Sequence, residues 1–241
     1  MRQTTLFIAD LHLNDSQPEI YQRFKSFIHD KAQDADSLYI LGDLFEYYLG
    51  DDAITDVAQK VCDDLNNLTS KYQTKCYFMA GNRDFLLSSA FASAAGLIIL
   101  EYPSIIVLDD EKLILTHGDE LCTDDIEYQK IRQQLRSKKW QQWFLSLSLQ
   151  ERIAFANQAR IKSQQHTQAS KAEIMDVNQL AVVNLFKQHK TTLMLHGHTH
   201  RPAFHNFLID NKQHHRMVVG DWHQQTSYIE HKNSNFQLST Y

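Results

Sequence analysis

The chain has 241 residues, 43% of them apolar, and a formal charge of −5, which is the composition of an ordinary soluble globular protein long enough to bury a substantial core. No apolar run approaches the ~20 residues of a membrane-spanning helix. The opening "MRQTTLFIADLHL" lacks the apolar stretch and small-residue cleavage site of a secretory signal, so the expected compartment is the cytoplasm.

In chain order, "TTLFIAD" (4–10), "SLYILGD" (37–43) and "KCYFMAGN" (75–82) are short apolar runs rich in branched and aromatic residues, expected to be buried strands. Between the first two, Ile20, Phe24, Phe27 and Ile28 have helical spacing behind Pro18, which suits a first turn. Between the second and third, Val57, Val61, Leu65 and Leu68 share one face of a helix over 55–71. Strands alternating with helices predict parallel strands with helices outside. "GLIIL", "SIIVLDD" and "KLILTHGD" then read as closely spaced strands, with a hairpin turn in "LDDEKL". Residues 124–171 read as a helical insertion and 173–189 as a further amphipathic helix. "TTLMLHGH", "RMVVGDW", "TSYIEH" and "FQLST" return to strand. The fold class is α/β, one domain over 1–241 containing the insertion.

Two imbalances stand out against this frame. Average usage would give roughly 17 glycines, yet there are 7, and Gly42, Gly81, Gly118 and Gly197 each adjoin a candidate ligand. Glycine placed so sparingly marks tight turns or close backbone approach. Residues 130–171 hold nine Lys/Arg against the single acid Glu151, while the rest of the chain is strongly acidic, an asymmetry that points to an anionic partner for that segment. Cys62, Cys76 and Cys122 have no metal-like spacing and are expected to be reduced thiols, mostly buried.

Each predicted strand ends in a residue able to bind metal. The first gives Asp10 and His12, the second Asp43, the third Asn82, followed by Arg83 and Asp84; later ends give His117, then His198 and His200. In open α/β sheets ligands collect outside the carboxyl ends of strands, so seven N/O donors are expected at one sheet edge. Asp10 and His12, like His198 and His200, are two apart and would point to one side of an extended exit. Any one of these motifs is weak evidence; five together are strong. Imidazole, carboxylate and amide without thiolate suit Mn²⁺, Fe or Zn²⁺. Seven donors exceed the needs of one open catalytic ion, so two ions sharing a carboxylate are expected, an arrangement that clamps both oxygens of an in-line phosphoryl displacement. His196 is expected to orient or cap its neighbours, direct ligation being the alternative.

The pattern "ADLH…GD…GNRD…HGD…HGHTH" resembles the calcineurin-like metallophosphoesterase superfamily. The resemblance implies a sandwich of two mixed β-sheets flanked by helices, here with the helical insertion. It implies one site from Asp10, His12, Asp43 and His200 and a second from Asp43, Asn82, His117 and His198, with Asp43 bridging; Asp43, Asn82, Arg83 and His117 are the expected catalytic group. The superfamily often has histidine where this chain has Arg83. Guanidinium does not protonate a leaving group, but it neutralises phosphate oxygens bidentately, so a phosphoanhydride fits better than an alkyl phosphodiester.

Longer strings, "YILGDLFE", "GNRDFLL", "THGDELCTDD", "IMDVNQ" and "HGHTHRPAFH", are similar to the branch of the superfamily that splits the pyrophosphate of a UDP-linked diacylglucosamine in lipid A synthesis. That similarity implies two Mn²⁺ ions and a lipid-linked UDP-sugar substrate. It implies substrate contacts from Asn82, Arg83, Asp125, Ser163, Thr167, His198 and a nearby cation; alignment on "IMDVNQ" falls on Ser170, but Lys171 supplies the charge. It also implies a peripheral position on the anionic cytoplasmic face of a Gram-negative inner membrane. Trp140, Trp143, Phe144, Leu147, Ile153 and Phe155 in the basic insertion suit acyl chains and an anionic surface, or else pack on the main domain. Tyr48 either stacks on uracil or belongs to the core. The alternatives are another dimetal phosphodiesterase, such as a nuclease gripping a polynucleotide with its basic insertion, and a scaffold that has lost its metals. Neither a nucleic acid nor an obligate protein partner is expected.

Overall fold

Apolar runs become strands buried on both faces, and the side-chain alternation of a strand sorts each run into two cores. A computed structural model describes residues 4–169 and 176–240. Its elements are β1 (Thr4–Ile8), α1 (Pro18–Asp30), β2 (Ser37–Ile40), α2 (Asp56–Lys71), β3 (Lys75–Phe78), α3 (Ser89–Ala95), β4 (Leu97–Ile99), β5 (Ser104–Leu108) and β6 (Glu111–Leu115). They continue with α4 (Ile126–Leu135), α5 (Lys138–Ser146), α6 (Leu149–Ala169), α7 (Gln179–His189), β7 (Leu193–His196), β8 (Ala203–Ile209), β9 (Lys212–Val218), β10 (Ser227–Lys232) and β11 (Asn235–Thr240).

Two mixed sheets result, in the orders β11-β10-β1-β2-β3-β4 and β5-β6-β7-β9-β8. The run β1 to β4 is parallel, and β10 and β11 add antiparallel strands at one edge. In the second sheet β6, β7 and β9 are parallel, with antiparallel β5 and β8 at the edges. Leu6, Ile8, Leu38 and Ile40 face Phe24, Phe27, Val61 and Leu65 of α1 and α2. Phe7, Tyr39, Leu113, Leu115 and Leu195 instead meet between the sheets, and Ile114 and Met194 turn outward to Val182 and Phe186 of α7. The layers are therefore helix, sheet, sheet, helix, and each fully buried Phe or Leu contributes about 1.5–3 kcal/mol.

Local signals set the boundaries. Pro18 opens α1, and the Thr55 hydroxyl accepts from Ala58 N to start α2. The predicted 108–113 turn forms with Asp109 and Asp110 at φ 47° and 68°, the left-handed pair of a two-residue hairpin. Two expectations need correction. The helix expected over 173–189 begins at Gln179, because the Asn178 side chain accepts from Leu180 N and Ala181 N and caps it there; residues 173–175 lie outside the described residues. The strand expected to begin at Arg216 begins at Lys212, and it is half of a hairpin with β8 that the periodicity reading missed. β8 is an edge strand whose residues alternate between half-buried and exposed, so it lacks the continuous apolar run of the buried strands. The turn at Asp210 and Asn211, both at positive φ, is the signal that could have revealed it.

Candidate metal centre

The carboxyl ends of the parallel strands open onto one locus, but the strands stop short of the donors. β1 ends at Ile8, β2 at Ile40, β3 at Phe78, β6 at Leu115 and β7 at His196; the donors lie two to four residues further on, in the loops. They come from both sheets: Asp10, His12, Asp43 and Asn82 from the first, His117, His198 and His200 from the second. The single sheet edge expected from the sequence is thus a seam between two sheets. Convergence does not come from extended exits either. Asp10, His12, Asp43, His198 and His200 all have left-handed backbones, φ 52–67°. Asp and His tolerate that region better than branched residues do, and such strain persists where the surroundings impose it.

Close packing of the loops fixes the positions. A Cβ on Gly81 would collide with Asp43 Oδ1 and its backbone N, and one on Gly197 with the Asp10 carboxylate, so glycine is required for the loops to meet. Buried Asp84 ties two of them together, accepting from Leu44 N at 2.7 Å and Gly81 N at 2.8 Å. Burial, then the neighbouring Asp43 charge, pushes its carboxyl up to about 6. Asp10 is fully buried, and His198 N donates to its Oδ2 at 2.7 Å. Arg83 N donates to Asp43 Oδ1 at 2.8 Å.

The side-chain geometry suits cations. His12 and His200 turn their Nε2 atoms toward one another at 3.3 Å. His12 Nε2 is 3.9 Å from Asp43 Oδ2, and His200 Nε2 is 3.5 Å from Asp10 Oδ1. His117 Nε2 is 3.7 Å from Asp43 Oδ1. The His117 Nδ1–H donates to Leu41 O at 2.8 Å, which leaves Nε2 directed at the carbonyl oxygen of Asn82 at 2.9 Å; His198 Nδ1 lies 3.0 Å from that same oxygen. Lone pairs facing at such distances require a proton or metal ion between them. Asp10 Oδ1 is buried without a hydrogen-bond partner, which a bound cation would satisfy. Asp10, His12 and His200 form one group with donor atoms within 4.8 Å of one another, and Asp10, Asp43 and His117 form a second; the donors fit metal ions. Burial would raise Asp10, but the facing His200 ring, 3.5 Å from Oδ1, with the charges of His117 and His12, outweighs it and holds the carboxyl well below the usual range. Burial, then the His117 charge, lowers His198 to about 4, so its ring is neutral and ready to ligate.

Several supporting residues escaped the sequence reading. Glu46 Oε2 stands 3.2 Å from His12 Nδ1, while its Oε1 meets Arg83 at 3.4 Å and Arg160 at 3.3 Å. Asp221 Oδ2 is 3.4 Å from His200 Nδ1. Both carboxylates lie beside the far ring nitrogens of candidate ligands, the place where metal-binding histidines usually find an orienting partner. "LFE" and "GDW" held no signal beyond an acid near a strand end. His196 uses Nδ1–H to Gly197 O at 2.8 Å and accepts from Arg216 Nη1 at 3.0 Å on Nε2. Both nitrogens are committed, so the ring holds the ligand loop.

The insertion helices α4, α5 and α6 enclose with the main body a groove of about 1110 Å³, into which Asn82, Arg83, Tyr128, Trp140, Phe155 and Ser163 project. Its walls include Trp140 stacked on Phe144, ring centroids 4.8 Å apart. Arg152, Arg132 and Arg136 are structural cations: Arg152 pairs with Asp52, Arg132 Nε donates to Asp119 at 2.7 Å and Arg136 Nη2 to Gly81 O at 2.8 Å. Part of the positive charge of the insertion is therefore bonded to the main body, although Arg132 and Arg136 also line the groove. Asp125 caps α4 by accepting from Tyr128 N at 2.9 Å, and the Tyr128 ring stacks on His198. Ser163 is exposed on α6. Thr167 belongs to α6, its side chain outside the described residues, as are Ser170 and Lys171 entirely. Tyr48 is buried, donates to Asp51 Oδ1 at 2.9 Å and packs on Phe45 and Phe91; of its two readings the core one holds. The three cysteines are buried reduced thiols, as expected.

The model of the calcineurin-like phosphoesterase family matches residues 4–202. The chain is 42% identical to a UDP-2,3-diacylglucosamine hydrolase of Proteus mirabilis, covering 97% of both chains. It is equally identical, over 99% of both, to one of Yersinia pestis. Among solved structures, an archaeal phosphodiesterase covers 99% of this chain and all of its own, with a TM-score of 0.51 at 13% identity; this likeness concerns the fold alone.

Proposed function

Because the chain belongs to the calcineurin-like phosphoesterase family, and within it to the UDP-2,3-diacylglucosamine hydrolases, we propose that it hydrolyses the pyrophosphate bond of UDP-2,3-diacylglucosamine in lipid A synthesis. Water attacks the α-phosphorus, a new P–O bond forms and the bridging P–O bond breaks, giving UMP and 2,3-diacylglucosamine 1-phosphate. The observation that carries this reading is continuity: Asn82 and Arg83 belong both to the donor cluster and to the apolar groove. A substrate with phosphates at one end and acyl chains at the other needs that juxtaposition.

Asp10, His12, Asp43 and His200 would hold one ion and Asp43, Asn82, His117 and His198 the other; this mixed imidazole, carboxylate and amide set suits Mn²⁺, Fe or Zn²⁺, and the resemblance favours Mn²⁺. When bound, such a pair lowers the pKa of water and neutralises phosphoryl oxygens. The chain's own residues position the reaction. Arg83, anchored through its backbone on Asp43 and by Glu46, presents a guanidinium to the phosphates. A departing sugar phosphate needs little protonation, which agrees with arginine in that place. Asn82, His198, Asp125, Ser163, Thr167 and Lys171 are assigned to the substrate, and 124–171 to a cap over it. Trp143, Leu145, Leu149 and Ile153 are exposed on the cap, as are Lys138, Lys139 and Lys162. This surface suits peripheral docking on the anionic cytoplasmic face of an inner membrane, at about 1 kcal/mol per basic residue. Among the described residues no helix is long and apolar enough to cross a membrane.

The test compares substrates. The Mn²⁺-loaded protein is expected to release UMP from UDP-2,3-diacylglucosamine, and Asp43→Ala or His117→Ala to abolish turnover with circular dichroism unchanged. Equal hydrolysis of bis-p-nitrophenyl phosphate without lipid preference would instead indicate a generic phosphodiesterase.

A further inference from the structure

We propose that the chain carries a second oxyanion site, separate from the metal centre, built around Arg216 and Thr199 and shaped for inorganic phosphate. A cavity of about 200 Å³ is lined by Asp176, Thr199, Arg201, His205 and Arg216, and by none of the seven candidate metal ligands. Arg216, on β9, is 7% exposed. Its Nη1 donates to His196 Nε2 at 3.0 Å, whereas its Nε is buried without a partner. The Thr199 hydroxyl is buried and unpartnered as well. Two such donors beside one cavity call for an acceptor.

Charge selects an anion over water. Among the described residues lining the cavity, the carboxylate is that of Asp176. Its Oδ2 accepts from Arg201 at 2.6 Å and its Oδ1 from Val177 N at 2.7 Å, so both of its oxygens are engaged away from the Arg216 Nε. A buried guanidinium needs a counter-charge as well as acceptors, and a tetrahedral oxyanion offers both, with oxygens spaced for the guanidinium fork. Size excludes a nucleotide, since sites for larger ligands run to about 300–1,000 Å³.

The site is wired to the ligand loop. Arg216 holds His196, His196 Nδ1 donates to Gly197 O, and Gly197 N donates to His117 O at 2.9 Å. Thr199 itself lies between His198 and His200. An anion held by Arg216 and Thr199 braces the loop that presents two of the metal donors, so anion and metal binding are coupled, and by linkage each strengthens the other.

Phosphate titrated calorimetrically into the Mn²⁺-loaded full chain is expected to show a binding event in addition to any at the metal centre. That event should persist in Asp43→Ala, which keeps this inference separate from the hydrolase reading. It should weaken roughly tenfold to a hundredfold in Arg216→Gln, the loss typical of a charge-assisted hydrogen bond, and by less in the isosteric Thr199→Val, which serves if Arg216→Gln does not fold. Crystals grown with selenate should show an anomalous peak within hydrogen-bonding reach of Arg216 Nε. The proposal is overturned if the sole event disappears with Asp43→Ala, if Thr199→Val and Arg216→Gln bind as the parent does, or if selenate occupies the cavity in crystals while phosphate shows no second event in solution.

Discussion

At the scale of single residues, the site depends on groups that do no chemistry. Gly81 has no functional atom, yet any Cβ there would strike Asp43. Gly81→Ala is expected to lower kcat by about a hundredfold or more, the penalty of displacing a reacting group by about 1 Å, while the fold persists; an unchanged kcat would show that the loop yields freely. The donor residues themselves were legible because Asp, Asn and His at strand ends are chemically conspicuous. Glu46 and Asp221 were not, because an acid near a strand end has no mark of its own until a histidine from elsewhere is seen beside it.

At the scale of elements, two contacts decide how helices sit. Asn178 caps α7 through two backbone N–H groups and donates to Asp124 at 2.8 Å. Asn178→Ala should cost about 1 kcal/mol, a Tm decrease of roughly 2–4 °C for a chain of this size, measurable by thermal unfolding. Arg152 of α6 donates to Leu49 O at 2.6 Å as well as pairing with Asp52. The Asp52 carboxylate is 64% exposed, so the ion pair itself contributes little; the buried Leu49 carbonyl matters more. Arg152→Met should cost about 1–3 kcal/mol by leaving that carbonyl unpaired. By loosening the wall of the groove it should also raise KM for the diacylated substrate more than it lowers kcat. A proportionate fall in kcat with KM constant would place α6 outside substrate binding. Helices with a clear apolar stripe, α1 and α2, were readable from spacing, whereas β8 lacked a period strong enough to find.

For the whole molecule, the metal centre joins the two sheets. Asp10 and Asp43 from one sheet and His117 and His200 from the other surround the same space, so bound cations should hold the layers together. Mn²⁺ at a hundred times its Kd is expected to add about 2.7 kcal/mol to stability, read as a Tm increase that chelation reverses and that Asp43→Ala lacks. Equal unfolding curves with and without metal would mean that the donors do not bind it. By itself the sequence determined the chemistry and the layers: donor types at strand ends, apolar alternation and helical stripes are local properties, written wherever they occur. Only the tertiary structure decided that the donors arise at a seam between sheets, that left-handed loops rather than extended exits aim them, and that several insertion arginines bond to the main body. These depend on which distant segments meet, and contact between residues far apart along the chain leaves no local periodicity to read.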